Sequence, residues 1–177
     1  MDFIPSPVQE PLRKQLIEFC YPYIACMIAV HKDLGRGMPE FIYQEALKIC
    51  FEEHGYKVHK EYQHHPIFHG VELESYLKMD LMVETDRGNI VVECKAIKDI
   101  SDVEQYQLFG YLRGTGYPIG ILVNFGTWPK AQIQRYHYNK DTGEIQPFWE
   151  ATCKNPIYQK SRSNRILPLK DWYRRII

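Results

Sequence analysis

The sequence predicts an α/β fold in which a mixed central β-sheet is flanked by helices and extended by a C-terminal β-hairpin and tail. Three observations predict it. Residues 78–84 and 90–97 are rich in aliphatic and β-branched side chains and frame Asp86-Arg87-Gly88-Asn89, which has the polar, glycine-containing composition of a tight antiparallel turn. Residues 101–113 read as a helix and lead into the apolar run Ile119-Gly120-Ile121-Leu122-Val123-Asn124-Phe125, so strand, helix and strand form a βαβ unit with parallel strands. Length agrees: 177 residues, 45% of them hydrophobic, fill one core, so a single domain spans 1–177.

In chain order, Pro5, Pro7 and Pro11 punctuate an extended start. Ile24, Met27, Ile28, His31 and Leu34 then recur at helical spacing, the stripe of a core-facing helix that runs to about Leu34. The run 19–30 is interrupted by Pro22 and falls short of a membrane span, so no membrane association is expected. Gly35 and Gly37 break the helix, and Pro39 suits the first position of the next, which reaches about His54. Strands are expected at 58–68, with a turn at His69-Gly70, and at 71–74, ahead of the hairpin at 78–97. Ser101 or Asp102 caps the following helix, whose apolar positions are Val103, Tyr106, Leu108 and Leu112. Residues 132–138 and 144–149 flank Asn139-Lys140-Asp141-Thr142-Gly143, a second hairpin signal, and no repeat or low-complexity segment occurs.

The first hairpin carries charge where a core strand should carry none. With Asp86 facing Asn89, Asp80 lies opposite Lys95, and Glu93 lies opposite Met82, one diagonal step from Asp80. Because strand side chains alternate, Asp80, Glu93 and Lys95 share one face while Cys94 points the other way. Two carboxylates so placed in a half-buried sheet repel each other and lose hydration, unless a cation neutralises them or their pKa values rise. Oxygen-only ligands suit a hard ion, Mg²⁺ or Mn²⁺, which keeps several waters and takes phosphate oxygens readily. Such a site supports phosphodiester hydrolysis, with Lys95 positioning the nucleophile or offsetting charge in the transition state. An ordinary Asp80–Lys95 ion pair, with Glu93 solvated at a sheet edge, accounts for the same residues. Elsewhere, Gln107 and Tyr111 share a helix face at i, i+4, and Glu40 sits in a helix first turn, where the dipole alone favours an acid.

Asp80 with Glu93-Cys94-Lys95 resembles the core signature of the PD-(D/E)xK nuclease superfamily, with Met79 in place of the proline. Gln107-Leu108-Phe109-Gly110-Tyr111 resembles the Gln-x-x-x-Tyr motif of its RecB-like branch. The run 30–47 resembles more closely the small bacterial proteins of the GxxExxY family, whose named positions fall on Gly37, Glu40 and Tyr43. The likeness continues through 80–84, 92–96, 111–116 and 123–126, covering about 20–127 and leaving 128–177 as a C-terminal extension. It implies a restriction-endonuclease-like core and an acidic group supplied at Glu40 by the first core helix. Asp80, Glu93 and Glu40 would hold Mg²⁺ or Mn²⁺, and Asp80, Glu93, Lys95, Glu40 and Gln107 would carry catalysis. Gln107 would orient the attacking water or a phosphate oxygen. Nucleic-acid contacts would come from Tyr111, Tyr43 and Arg113, with Tyr111 alternatively bracing Gln107. The partner implied is nucleic acid, DNA ahead of RNA, and a homodimer is permitted. The same scaffold also accommodates a nucleic-acid- or protein-binding module whose chemistry is vestigial.

Formal charge is zero, from 22 basic and 22 acidic residues, but 151–177 holds seven Lys or Arg against Asp171 alone. That tail can follow a phosphate backbone or fold onto the acidic body, and its Tyr158, Trp172 and Tyr173 suit base stacking or simple anchoring. Cysteines 20, 26, 50, 94 and 153 are odd in number and lack a Cys-x-x-Cys pair, so neither a disulfide framework nor a zinc ribbon is indicated and a reducing, cytoplasmic setting is expected. Cys50 and His54 stand at i, i+4, with His64, His65 and His69 further along. Lacking a four-ligand set, they read as a packed thiol and surface histidines, with a zinc-stabilised interaction domain as the lesser alternative. No charged leader precedes an apolar core and cleavage site, so secretion is not expected.

Overall fold

The first helix, α1 (Leu12–Leu34), buries Leu16, Cys20, Tyr23, Met27, Val30 and His31, one stripe at steps of three and four. It runs through Pro22, whose missing N–H costs one backbone bond that packing along the stripe outweighs. The structure, a computed structural model, describes residues 6–148. The basic tail with Cys153, Tyr158, Trp172 and Tyr173, and the last expected residue of the second hairpin, lie outside the described residues. After α1 come α2 (Glu40–Glu53), β1 (Lys57–His64), the short strands β2 (Ile67–Phe68) and β3 (Val71–Glu72), β4 (Leu77–Glu84) and β5 (Ile90–Lys95). Then follow α3 (Asp102–Thr115), β6 (Ile119–Asn124), β7 (Gln132–Tyr138) and β8 (Ile145–Pro147).

Six strands form one mixed sheet in the order β1-β4-β5-β6-β7-β8, parallel between β5 and β6 and antiparallel elsewhere, while β2 and β3 pair separately. This is the helix-flanked mixed sheet that the sequence predicts. Helices cover both faces, which is why β5 and β6 are buried along nearly their whole length. On one face Leu81, Val83, Val92, Cys94 and Ile121 join Ile24, Met27, Tyr43, Leu47 and Phe51 from α1 and α2. On the other, Val91, Leu122 and Tyr136 pack with Leu108, Tyr111 and Leu112 of α3.

Several boundaries differ from expectation. The strand expected at 58–68 stops at His64. Helix α3 starts from a complete capping box, in which Ser101 Oγ accepts from Val103 N–H and Glu104 accepts from Ser101 N–H at 2.8 Å. It buries Leu108, Tyr111 and Leu112, whereas Val103 and Tyr106, expected to be inward, face solvent. The first hairpin pairs Val83 with Ile90, Met82 with Val91 and Leu81 with Val92, so its connection is longer than the two-residue turn expected. Gly88, at φ 101°, closes that turn against Pro118, where a Cβ would stand 2.7 Å from the ring. The pairing therefore sets Asp80 level with Glu93 rather than Lys95, and a slip of two residues leaves Asp80, Glu93 and Lys95 on one face.

Candidate metal and catalytic site

Helix α2 is aimed by the turn that precedes it. Gly35 and Gly37 adopt φ of 67° and 102°, which lets the chain reverse after α1. Tyr43 fastens the reversal: its hydroxyl donates to Gly35 O at 2.7 Å and accepts from Met38 N–H at 3.1 Å, and its ring stacks on Phe125 with centroids 4.6 Å apart. The nucleic-acid contact expected of Tyr43 is corrected by this placement. The side chain has no accessible surface and its hydroxyl is already engaged, so it fixes where α2 begins and cannot touch a polymer. That beginning is Glu40 itself, with Pro39 one residue earlier than expected, in the capping position. The Glu40 carboxylate accepts from Ala96 N–H, just beyond β5, and interacts with both Lys95 and Asp80.

The strands β4 and β5 part at Asp80. Their backbone pairing ends at Leu81–Val92, and side chains take it over: Asp80 N–H donates to Glu93 Oε1 at 3.1 Å, and Cys94 N–H donates to Asp80 Oδ2 at 2.8 Å. On the other flank the β1 pairing skips Glu61, which takes φ 53°, between Lys60↔Leu81 and Tyr62↔Met79. Met79 accordingly packs with α3 while Leu81 and Val83 pack with α1 and α2, so β4 twists through Asp80. The gap is reached from both layers. From α2, Gln44 hydrogen-bonds the Asp80 carboxylate. From β5, the Lys95 ammonium donates to Glu93 Oε2 at 3.4 Å and to Gln107 Oε1 of α3 at 3.1 Å. Gln107 Nε2 in turn donates to the Tyr111 hydroxyl at 2.8 Å, so Tyr111 is placed as a buried brace, and Arg113 is exposed on the last turn of α3.

The electrostatics show what the cluster lacks. Glu93 is 1% exposed; burial, and next the Asp80 charge, push its carboxyl up to about 8. Burial also raises Asp80, against the opposing pull of Cys94 N–H and Lys95. Glu40 is raised by burial, with Lys95 opposing and Asp80 reinforcing. Burial would lower Lys95, but the charges of Glu93, Glu40 and Asp80 outweigh it and keep the ammonium protonated. With all three carboxylates ionised, the one ammonium would leave two negative charges for a divalent cation to balance. The donors are all oxygen, so the site fits a hard ion of the Mg²⁺ or Mn²⁺ kind. Asp80 and Glu93 touch, while Glu40 stands further off: the one trio of donor atoms within 4.8 Å of each other, among the described residues, is Cys26, Cys50 and His54.

Two contributors escaped the sequence reading. Gln44 carries a direct signal, since it stands one turn after Glu40 on the same helix face. Asn124 ends an otherwise apolar strand and is fully buried. Its Oδ1 accepts from Ile97 and Gly126 N–H at 3.0 Å each, and its Nδ2 donates to Ile97 O at 2.9 Å, pinning the chain as it leaves Lys95. Gly126 belongs to the same lock, because a Cβ there would lie 2.3 Å from Ile97 O.

Comparison with known proteins places the chain in a family. A family model described as the PD-(D/E)XK nuclease superfamily matches residues 18–136, well over half of the chain and inclusive of every side chain at the gap. No curated protein matches significantly. The crystal structure of SSO0001 is similar over 73% of this chain and 68% of its own, at 18% identity and a TM-score of 0.43, too distant a likeness to carry an inference. Among the described residues no helix is long and apolar enough to cross a membrane.

Proposed function

Because the chain belongs to the PD-(D/E)XK nuclease superfamily and has a restriction-endonuclease-like fold, we propose that it is a divalent-metal-dependent phosphodiesterase that cuts nucleic acid, DNA ahead of RNA. Within the superfamily, Gly37, Glu40 and Tyr43 favour the GxxExxY family, and Gln107 with Tyr111 favours the RecB-like branch. The observation that carries the reading is the meeting of Lys95 with Glu93 and Gln107 beside Asp80, at the gap where β4 and β5 separate. The four free thiols among the described residues suit a reducing, cytoplasmic setting.

Asp80 and Glu93 would hold Mg²⁺ or Mn²⁺, with Glu40 as the outer acid. A divalent ion there supplies the charge that neutralises the acids and polarises a phosphoryl oxygen. Cys94 N–H holds one Asp80 oxygen and Asp80 N–H holds one Glu93 oxygen, which sets the orientation of both carboxylates toward the ion they would share. Lys95 orients the attacking water and offsets negative charge growing on the phosphate. Gln107, fixed by Tyr111, accepts from the ammonium and would turn its remaining amide N–H to a phosphate oxygen. Arg113, exposed on α3, is the nearby cation suited to the polymer backbone. Labelled single- and double-stranded DNA and RNA, incubated with wild type and Lys95→Ala with and without Mn²⁺, test the assignment. Cleavage by wild type with Mn²⁺ alone supports it. Equal results from both proteins overturn it.

A further inference from the structure

Away from this gap, three soft donors meet where α1 packs on the end of α2. Cys26 is fully buried on α1, and Cys50 and His54 follow one turn apart at the end of α2, both half-buried. Cys26 Sγ lies 3.8 Å from His54 Nδ1, the Cys26 thiol hydrogen-bonds the Cys50 side chain, and the three donor atoms all lie within 4.8 Å of one another. A tetrahedral zinc with Zn–S of about 2.3 Å and Zn–N of about 2.0 Å sets sulfur from sulfur at roughly 3.8 Å and sulfur from nitrogen at roughly 3.5 Å. The observed trio therefore needs a contraction of at most about 1.3 Å to reach that geometry.

The backbone favours a cation at the same point. His54 N–H turns to Phe51 O at 3.1 Å, which leaves the carbonyl of Cys50 to accept from His54 Nδ1 at 2.6 Å. The end of a helix carries partial negative charge, and the carboxylates of Glu53 and Asp33 add to it. We propose that Cys26, Cys50 and His54 form a binding site for a soft divalent cation, Zn²⁺, with the fourth position taken by water or a neighbouring carboxylate. Binding releases the two thiol protons to solvent and places the imidazole proton on Nε2, freeing the Nδ1 lone pair for the metal. The ion would clamp α1 to the far end of the helix whose first two turns supply Glu40 and Gln44. Cys50 is ten residues from Glu40, about 15 Å along the helix axis, so the two metal sites are separate. Donor chemistry sorts their ions, sulfur for zinc and carboxylate oxygen for Mg²⁺ or Mn²⁺.

Titrating the reduced full-length chain with Co²⁺, and reading the near-ultraviolet thiolate-to-cobalt band, tests the site. One equivalent should bind, Zn²⁺ should displace it and Mn²⁺ should not. Cys50→Ser and His54→Ala should each weaken binding at least about tenfold. These residues are half-buried, and near-ultraviolet circular dichroism without metal verifies that the variants keep the fold. Cys20→Ser and Asp80→Ala should leave the titration unchanged, so the outcome does not depend on the nuclease reading. Absence of the band in wild type, a band indifferent to Cys50→Ser, or a Cys26–Cys50 disulfide formed in place of metal binding would overturn the proposal.

Discussion

Glu93→Gln separates the electrostatic demand of the site from its chemistry. The glutamine keeps an oxygen for Asp80 N–H and has the shape of a protonated glutamate, so near pH 5 the two proteins should be almost equally stable. As pH rises they should diverge. In the unfolded chain Glu93 ionises near 4.5, whereas in the fold its carboxyl is pushed up to about 8. Between those values the folded protein holds the extra proton, so folding stability of the wild type falls as pH rises through this window. The full displacement corresponds to about 5 kcal/mol, and because Asp80 can take the proton in its neighbour's place we expect about half of that. For a domain of this size that is roughly 5–10 °C in Tm by pH 8 in favour of the variant, without metal. Differential scanning fluorimetry between pH 5 and 8.5, with and without millimolar Mn²⁺, reads it directly. Mn²⁺ at pH 8 should raise the wild-type Tm and leave Glu93→Gln unmoved. Parallel pH profiles, or equal stabilisation of both proteins by Mn²⁺, would refute the reasoning.

Three further outcomes follow from the same contacts. Lys95→Ala should cut single-turnover cleavage by about 10²–10³-fold while leaving Mn²⁺ affinity, measured by calorimetry, within a few-fold of wild type, because the ammonium acts on developing charge and holds no metal. Tyr43→Phe leaves Gly35 O and Met38 N–H without their buried partner and should cost about 1–3 kcal/mol in urea unfolding, with a smaller loss of cleavage as Glu40 loosens. Asn124→Ala removes the bonds to Ile97 and Gly126 and should cost roughly 3 kcal/mol, with hydrogen exchange rising first at residues 96–97 and 126.

The fold was legible wherever periodicity was strong. The stripe on α1, the strand-helix-strand unit and the β7–β8 hairpin are set by local pattern, and local pattern is printed in sequence. The register of the first hairpin was harder, because Asp86-Arg87-Gly88-Asn89 looks like a two-residue turn and the chain uses a longer connection. The slip spared the site, since it was even and Glu93 kept its face. What pattern could not show was the separation of β4 from β5: Asp80 and Glu93 replace the backbone ladder with their own carboxylates, a tertiary event without a period. A motif position says that Tyr43 matters but not whether it faces water. Cys26 joins Cys50 and His54 across 24 residues of sequence, beyond the reach of any spacing rule, and only the packing of α1 on α2 reveals it.

The central claim is that the gap between β4 and β5 receives a divalent ion. A crystal of the protein grown with Mn²⁺ and measured at the manganese edge tests it in one map. One anomalous peak within about 2.3 Å of oxygens from both Asp80 and Glu93 is the predicted result. No peak there, or a peak whose ligands exclude either carboxylate, would contradict the account.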